Sequence, residues 1–210
     1  MAKRTLSALI IAVVIFNAQT TFAAVNPPTN EVKAAINPAV KEFEKLQVSF
    51  LAKSKTYTDT KYGFTVTLPS TWKKMKTTTG VLFAAQPVNN SNAAWLLTRT
   101  KYSTQKQADY VKNRLKNKTS EYGQIVLEEL QKQFPDEVCT MKAIGRKSLG
   151  VNSGARANVT CTKDDLSVVF SLFSFVNKKT FYSATYVIYE SAFAKSLPQF
   201  DAVTKTLAIK

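Results

Sequence analysis

Along residues 64–68 apolar and polar side chains alternate strictly, so Phe64, Val66 and Leu68 share one face of a strand spanning about 61–69, which Pro69 stops. Upstream, Val40, Phe43, Leu46 and Phe50 recur three and four apart, the apolar stripe of an amphipathic helix with Asn37 as cap and Pro38 in its first turn. Residues 80–85 and 93–99 predict two more strands around the turn-rich loop 87–92. Ser103 then caps a helix over 104–117, with Ala108, Val111 and Leu115 inward. Residues 121–134 are ambiguous: Leu127, Leu130 and Phe134 fit a helix ended by Pro135, and Gly123 weakens the pattern.

From there the chain reads as four consecutive antiparallel strands at 137–148, 155–163, 166–176 and 181–190. Residues 192–207 suit a closing helix with Phe193, Leu197, Phe200, Val203 and Leu207 inward, kinked or restarted at Pro198. Strands, helices, more strands and a last helix describe an α+β fold, an antiparallel β-sheet flanked by helices in an α/β/α sandwich.

The beginning of the chain follows a different rule. Lys3 and Arg4 precede an apolar run at 6–16, and small and polar residues follow at 17–24, the order of a secretory signal peptide. Cleavage after Ala23 places Thr21 at the −3 position; retention of the segment as an anchor is the alternative. The organisation expected is a signal peptide at 1–23, a leader and N-terminal helix at 24–56, and one folded domain at 57–210. The expected localisation is outside the cytoplasm, periplasmic or extracellular. After the signal no run reaches the roughly 18 to 20 apolar residues of a spanning helix, so the mature form is expected to have none.

Charge narrows the partners. Lys and Arg number 29 against 14 Asp and Glu, a net charge of +15. Such a balance favours anionic partners such as lipid head groups, acidic cell-wall polymer or acidic proteins, although simple solubility also accounts for it. The candidate contact residues are Lys73, Lys74 and Lys76 after the first strand, Arg99 and Lys101 at the end of another, and Lys106, Lys112, Arg114, Lys116 and Lys118 along the 104–118 helix. Only Tyr110 accompanies the helix cations as an aromatic, so nucleic acid, which needs stacking platforms, is disfavoured.

Cys139 and Cys161 are the two cysteines of the chain, and in an exported protein their default state is a disulfide. The chain has no histidine, which removes Ser-His-Asp and Cys-His machinery and the usual zinc sites. Six glycines form neither a dinucleotide fingerprint nor a Walker loop. No metal, cofactor or catalytic residue is therefore expected. Ser70 and Lys73 match S-x-x-K, a nucleophile pattern that works only when the serine opens a helix, and Ser103 and Lys106 match it too. The adjacent acids Glu128-Glu129, Asp136-Glu137 and Asp164-Asp165 read as surface or turn residues.

The stretch Gly63-Phe64-Thr65-Val66-Thr67-Leu68-Pro69-Ser70-Thr71-Trp72 resembles the opening strand of the PsbP-like superfamily, with Thr71 where a glycine is common. Gly154-Ala155-Arg156-Ala157 and the closing segment 200–209 resemble its far end, so the resemblance covers about residues 57–209. It implies an antiparallel sheet flanked by helices and a non-enzymatic role in binding or stabilising other proteins, and it carries no functional residue over. Relatives named by it are a Ran-binding nuclear import factor and DcrB-like periplasmic lipoproteins. The leading expectation is an exported accessory protein that associates with an envelope protein complex or an anionic surface. A carrier or chaperone holding an apolar ligand or helix in a groove is the alternative, and an uncharacterised hydrolase a third.

Overall fold

The computed structural model describes residues 54–210. The signal peptide, the leader and the helix expected after Asn37 lie outside the described residues.

Strict alternation does set the first hairpin. β1 (Ser54–Asp59) and β2 (Phe64–Pro69) pair antiparallel, and Phe64, Val66 and Leu68 are buried while Thr65 and Thr67 are not. β1 begins at Ser54, so the expected boundary at residue 57 falls inside a strand. No apolar alternation marks this strand in the sequence, because SKTYTD is polar and mostly exposed. After a tight turn come β3 (Trp72–Lys74), β4 (Val81–Pro87) and β5 (Ala93–Lys101).

Two helices follow, α1 (Gln105–Asn117) and α2 (Thr119–Gln133). The cap of α1 is Thr104 and not Ser103: the Thr104 hydroxyl accepts from the Gln107 amide, and the Gln107 side chain accepts from the Thr104 amide. This reciprocal pair satisfies two donors that a helix start leaves open. Gly123, which weakened the pattern for α2, sits where a Cβ would come within 3.0 Å of Ile144, so the missing side chain lets α2 approach the sheet. The ambiguous segment is a helix.

Four long strands come next, β6 (Val138–Leu149), β7 (Asn152–Lys163), β8 (Leu166–Asn177) and β9 (Thr180–Tyr189). α3 (Glu190–Lys205) continues through Pro198, and the chain ends in β10 (Ala208–Ile209). Residues 208–209, just past the helix expected at 192–207, are thus strand; Ala208 and Ile209 pair with Thr65 and Phe64 of β2.

Seven strands form one antiparallel sheet in the order β3-β4-β5-β9-β8-β7-β6, and β1, β2 and β10 form a second of three. The large sheet is buried on both faces, which is why β8 and β9 read as almost unbroken apolar runs and not as alternations. α1 and α2 cover one face over a core that includes Leu115, Val126, Leu130, Val159 and Phe170. α3 and the small sheet cover the other over Phe64, Trp95, Phe173, Tyr186 and Phe200. The result is the α/β/α sandwich expected. On this second face Trp72, Tyr186 and Phe200 stack in series, with ring centroids 6.2 and 5.1 Å apart. The Trp95 indole N–H donates to the Thr204 hydroxyl at 3.0 Å and fixes α3 to the sheet.

Candidate anion-binding groove

Cys139 and Cys161 face each other in the β6–β7 register and are joined as a disulfide. The bond clamps the β6 edge of the large sheet to its interior, near the end where β6 starts. The far ends of the same two strands, Arg146 to Gly154, border a strongly basic recess.

The expected cations do not form one patch, because the large sheet divides them. Lys74 lies over the Phe83 and Tyr57 rings at 5.5 and 6.0 Å, and Arg99 over the Tyr62 ring at 4.3 Å, all on the side of the small sheet. Lys73, Lys76 and Lys101 are exposed near that edge or at the strand ends. Lys106, Lys112 and Lys116 ride on α1 and Lys118 caps its end, across the sheet. Arg114 is a correction: it is buried, with Nη1 2.6 Å from Glu121 Oε2 and its guanidinium 4.8 Å from the Tyr110 ring. Helical spacing placed it with the lysines, but only the α2 partner reveals that it turns inward. Lys118 is also engaged, 3.0 Å from Glu121 Oε1.

Two of the remaining α1 cations, Lys112 and Lys116 and not Lys106, meet residues that the sequence did not single out. Lys112 and Lys116, one turn apart, border a groove of about 470 Å³ whose other wall carries Arg146 and Ser148 from β6 and Ser153 from β7. Leu115 and Val176 supply its apolar wall. Such a volume is that of a small-molecule site, roughly 300–1,000 Å³. The Ser148 and Ser153 hydroxyls lie 2.7 Å apart across the strand pair. No acidic side chain lines the groove, and among the described residues Lys112, Lys116 and Arg146 have no ion-pair partner. Lys147 also borders it, but its ammonium is 3.8 Å from Asp201, on the α3 side.

The groove is held by the layers around it. The Tyr122 hydroxyl is 2.6 Å from the Ser174 hydroxyl, which donates to Ser183 at 3.1 Å, so α2 is pinned to β8 and β9. Burial raises the Tyr122 phenol well above its ordinary pKa, which keeps it neutral and able to donate. Gly154 lets β7 pass close to β8; a Cβ there would run into the Ser174 carbonyl oxygen. On the opposite face Arg156 makes a two-pronged, buried pair with Asp201, with Phe200 beneath the guanidinium at 5.3 Å. That pair is fully committed to holding α3.

Arg146 and Ser153 escaped the sequence reading because nothing local marks them. Strand alternation over 137–148 was legible, but the bulge between Met141 and Ala143 resets which residues face α1. A second recess, bordered by Asp165, Ser167, Tyr189 and Glu190, has the opposite sign of charge. The S-x-x-K pattern meets a plain geometry: Ser70 is in a turn and Lys73 in β3, so they are not one helical turn apart. At the second match the Ser103 hydroxyl donates to the Gln107 side-chain oxygen at 2.8 Å, beside the cap of α1. Among the described residues no cluster of metal-ligating side chains occurs.

Sheet order, the paired helix layers and the small closing sheet define a PsbP-like α/β/α sandwich. Cyanobacterial PsbP from Synechocystis sp. PCC 6803 superposes with a TM-score of 0.59 at 12% identity, over 76% of this chain and 94% of that one. Two other solved structures overlap with scores below one half. The Ran-binding protein Mog1p of Saccharomyces cerevisiae gives 0.49 at 9% identity, over 75% of this chain and 95% of its own. LpqN, involved in cell envelope biogenesis of Mycobacterium tuberculosis, gives 0.45 at 9%, over 75% and 91%. No protein-family model and no curated protein matches the sequence. The likeness to cyanobacterial PsbP is one of fold.

Proposed function

We propose that this chain is an exported, non-enzymatic accessory protein that binds an anionic surface of the cell envelope through the groove between α1 and β6. The observation that carries the reading is the convergence of Lys112, Lys116 and Arg146 on one recess with no acidic side chain in its lining. Unpaired cations held together repel each other and gain from an anion that neutralises them. The basic, apolar and small order of residues 1–24 and the Cys139–Cys161 disulfide support export.

The test is sedimentation of the purified chain with vesicles of phosphatidylcholine with and without phosphatidylglycerol. Association is expected only with the anionic vesicles. It should weaken between about 0.1 and 1 M salt, as the screening length falls from about 10 to about 3 Å. Each cation near an anionic surface contributes about 1 kcal/mol, so Lys112→Ala, Lys116→Ala and Arg146→Ala together should weaken it about 100-fold. A wild-type chain that stays in the supernatant at low salt overturns the reading.

A further inference from the structure

The groove has two kinds of wall, and one of them is wasted on a bare ion. Lys112 and Lys116 lie one turn apart at the rim, and Arg146 reaches the recess from the strand opposite. Two cations on one side and a forked guanidinium on the other suit a phosphate group, which offers oxygens in several directions. The hydroxyl pair adds to this. Ser148 and Ser153 share one hydrogen between their oxygens at 2.7 Å, so one hydroxyl hydrogen of the pair is left for another acceptor.

Beside this polar set stand Leu115 and Val176, apolar and part of the core beneath α1. A free phosphate keeps its own hydration and gains nothing from such a wall, and the space exceeds what one ion fills. No aromatic ring borders the groove for a base or sugar ring to stack on. Charge and apolar surface side by side match a molecule that has both within a few bonds.

We infer that the groove takes the headgroup of one anionic phospholipid, with the phosphate between Lys112, Lys116 and Arg146 and the adjoining apolar part of the molecule on the Leu115 and Val176 wall. This rests on the anionic-surface reading above and adds a defined pocket to it. The protein then binds the surface by engaging a single lipid molecule, and its charge alone is not the whole of the contact.

The experiment uses the full chain with dihexanoyl phosphatidylglycerol below its micelle concentration, followed by calorimetry or by amide shifts. Dihexanoyl phosphatidylcholine and inorganic phosphate are run beside it. Binding of the anionic lipid with neither of the other two is expected. Lys112→Ala with Lys116→Ala should weaken it about 30-fold. Ser153→Phe keeps the charge and fills the pocket from an exposed position; it should weaken short-chain lipid binding by about tenfold or more. Should Ser153→Phe fail to fold, Ser148→Met at the paired position serves the same purpose.

Equal binding of phosphate or of the zwitterionic lipid overturns the inference, as does a Ser153→Phe chain that binds like wild type. A photo-cross-linker at Ser153 that captures the chain's own residues 1–53 overturns it too, because the occupant is then internal. Vesicle association without short-chain binding removes this inference alone, whereas loss of vesicle association removes the proposed function.

Discussion

Arg114 Nη1 stands 2.6 Å from Glu121 Oε2, across the junction where α1 gives way to α2. The pair takes the one arginine of α1 out of the solvated basic face and makes it a brace between the two helices. Removing it leaves a mostly buried carboxylate short of its strongest partner. Arg114→Ala should therefore lower the unfolding free energy by about 2 kcal/mol, whereas Lys112→Ala should stay within about 0.5 kcal/mol of wild type. Urea denaturation measures both. Lipid affinity should respond in the opposite order, falling for Lys112→Ala and not for Arg114→Ala. A stable Arg114→Ala protein with weakened binding would return this residue to the site.

Much of the fold was readable because it rests on local rules. Phe64, Val66 and Leu68 announce β2, Ala108, Val111 and Leu115 announce α1, and the runs at 166–176 and 181–190 announce antiparallel strands. What was not readable depends on partners distant in sequence. β1 is polar and β10 is two residues long; each is a strand only because β2 lies beside it. The groove is less legible still. Lys112 and Lys116 were visible as a helix face, but Arg146 joins them only through a bulged strand register, and Arg114 leaves them only through Glu121. Periodicity gives the face of an element and not what stands opposite it.

Trp72 carries stability. Its ring is buried in the edge strand β3 and stacks on Tyr186, which in turn stacks on Phe200 of α3. Trp72→Ala opens a cavity at the end of that column and should cost about 3–5 kcal/mol. Ser70→Ala, two residues earlier and exposed, should cost less than about 0.5 kcal/mol. Thermal melts of the two variants distinguish them. If Ser70→Ala abolished a hydrolytic activity of the wild-type chain, the fold-marking role of this segment would have to be abandoned.

The Cys139–Cys161 bond joins positions 22 apart in sequence, across two neighbouring strands. Restricting the unfolded chain by a loop of that size contributes roughly 3 kcal/mol on the chain-entropy account. Replacing both cysteines by serine, or adding reductant, should lower the urea midpoint accordingly. The fold should survive, since the β6–β7 ladder continues for ten residues beyond the bridge on β6, to Leu149. Circular dichroism of the reduced chain tests this; complete loss of structure at 25 °C would show that the bond, and not the ladder, holds the β6 edge.

Alkaline pH should unfold the protein through its tyrosines. Burial pushes Tyr102 and Tyr186 each up to about 12 and Tyr122 higher still. In the unfolded chain all three ionise near pH 10. Below that pH both states hold their phenol protons and stability is unaffected. Between about pH 10 and 12 the unfolded state releases protons that the folded state keeps, so stability falls as pH rises. Lys205 acts with the opposite sign: burial lowers its pKa most, Asp201 pulls it back in part and Lys147 adds a smaller lowering, so losing its proton favours the folded state. It is one partly exposed amine against three phenols, and the net direction is downward. Urea midpoints taken from pH 8 to pH 11.5 should hold level and then drop, with a shallower drop in Tyr102→Phe, whose ring stays but whose titrating proton is gone. A midpoint that stays flat to pH 11.5 would mean that these phenols reach solvent in the folded state.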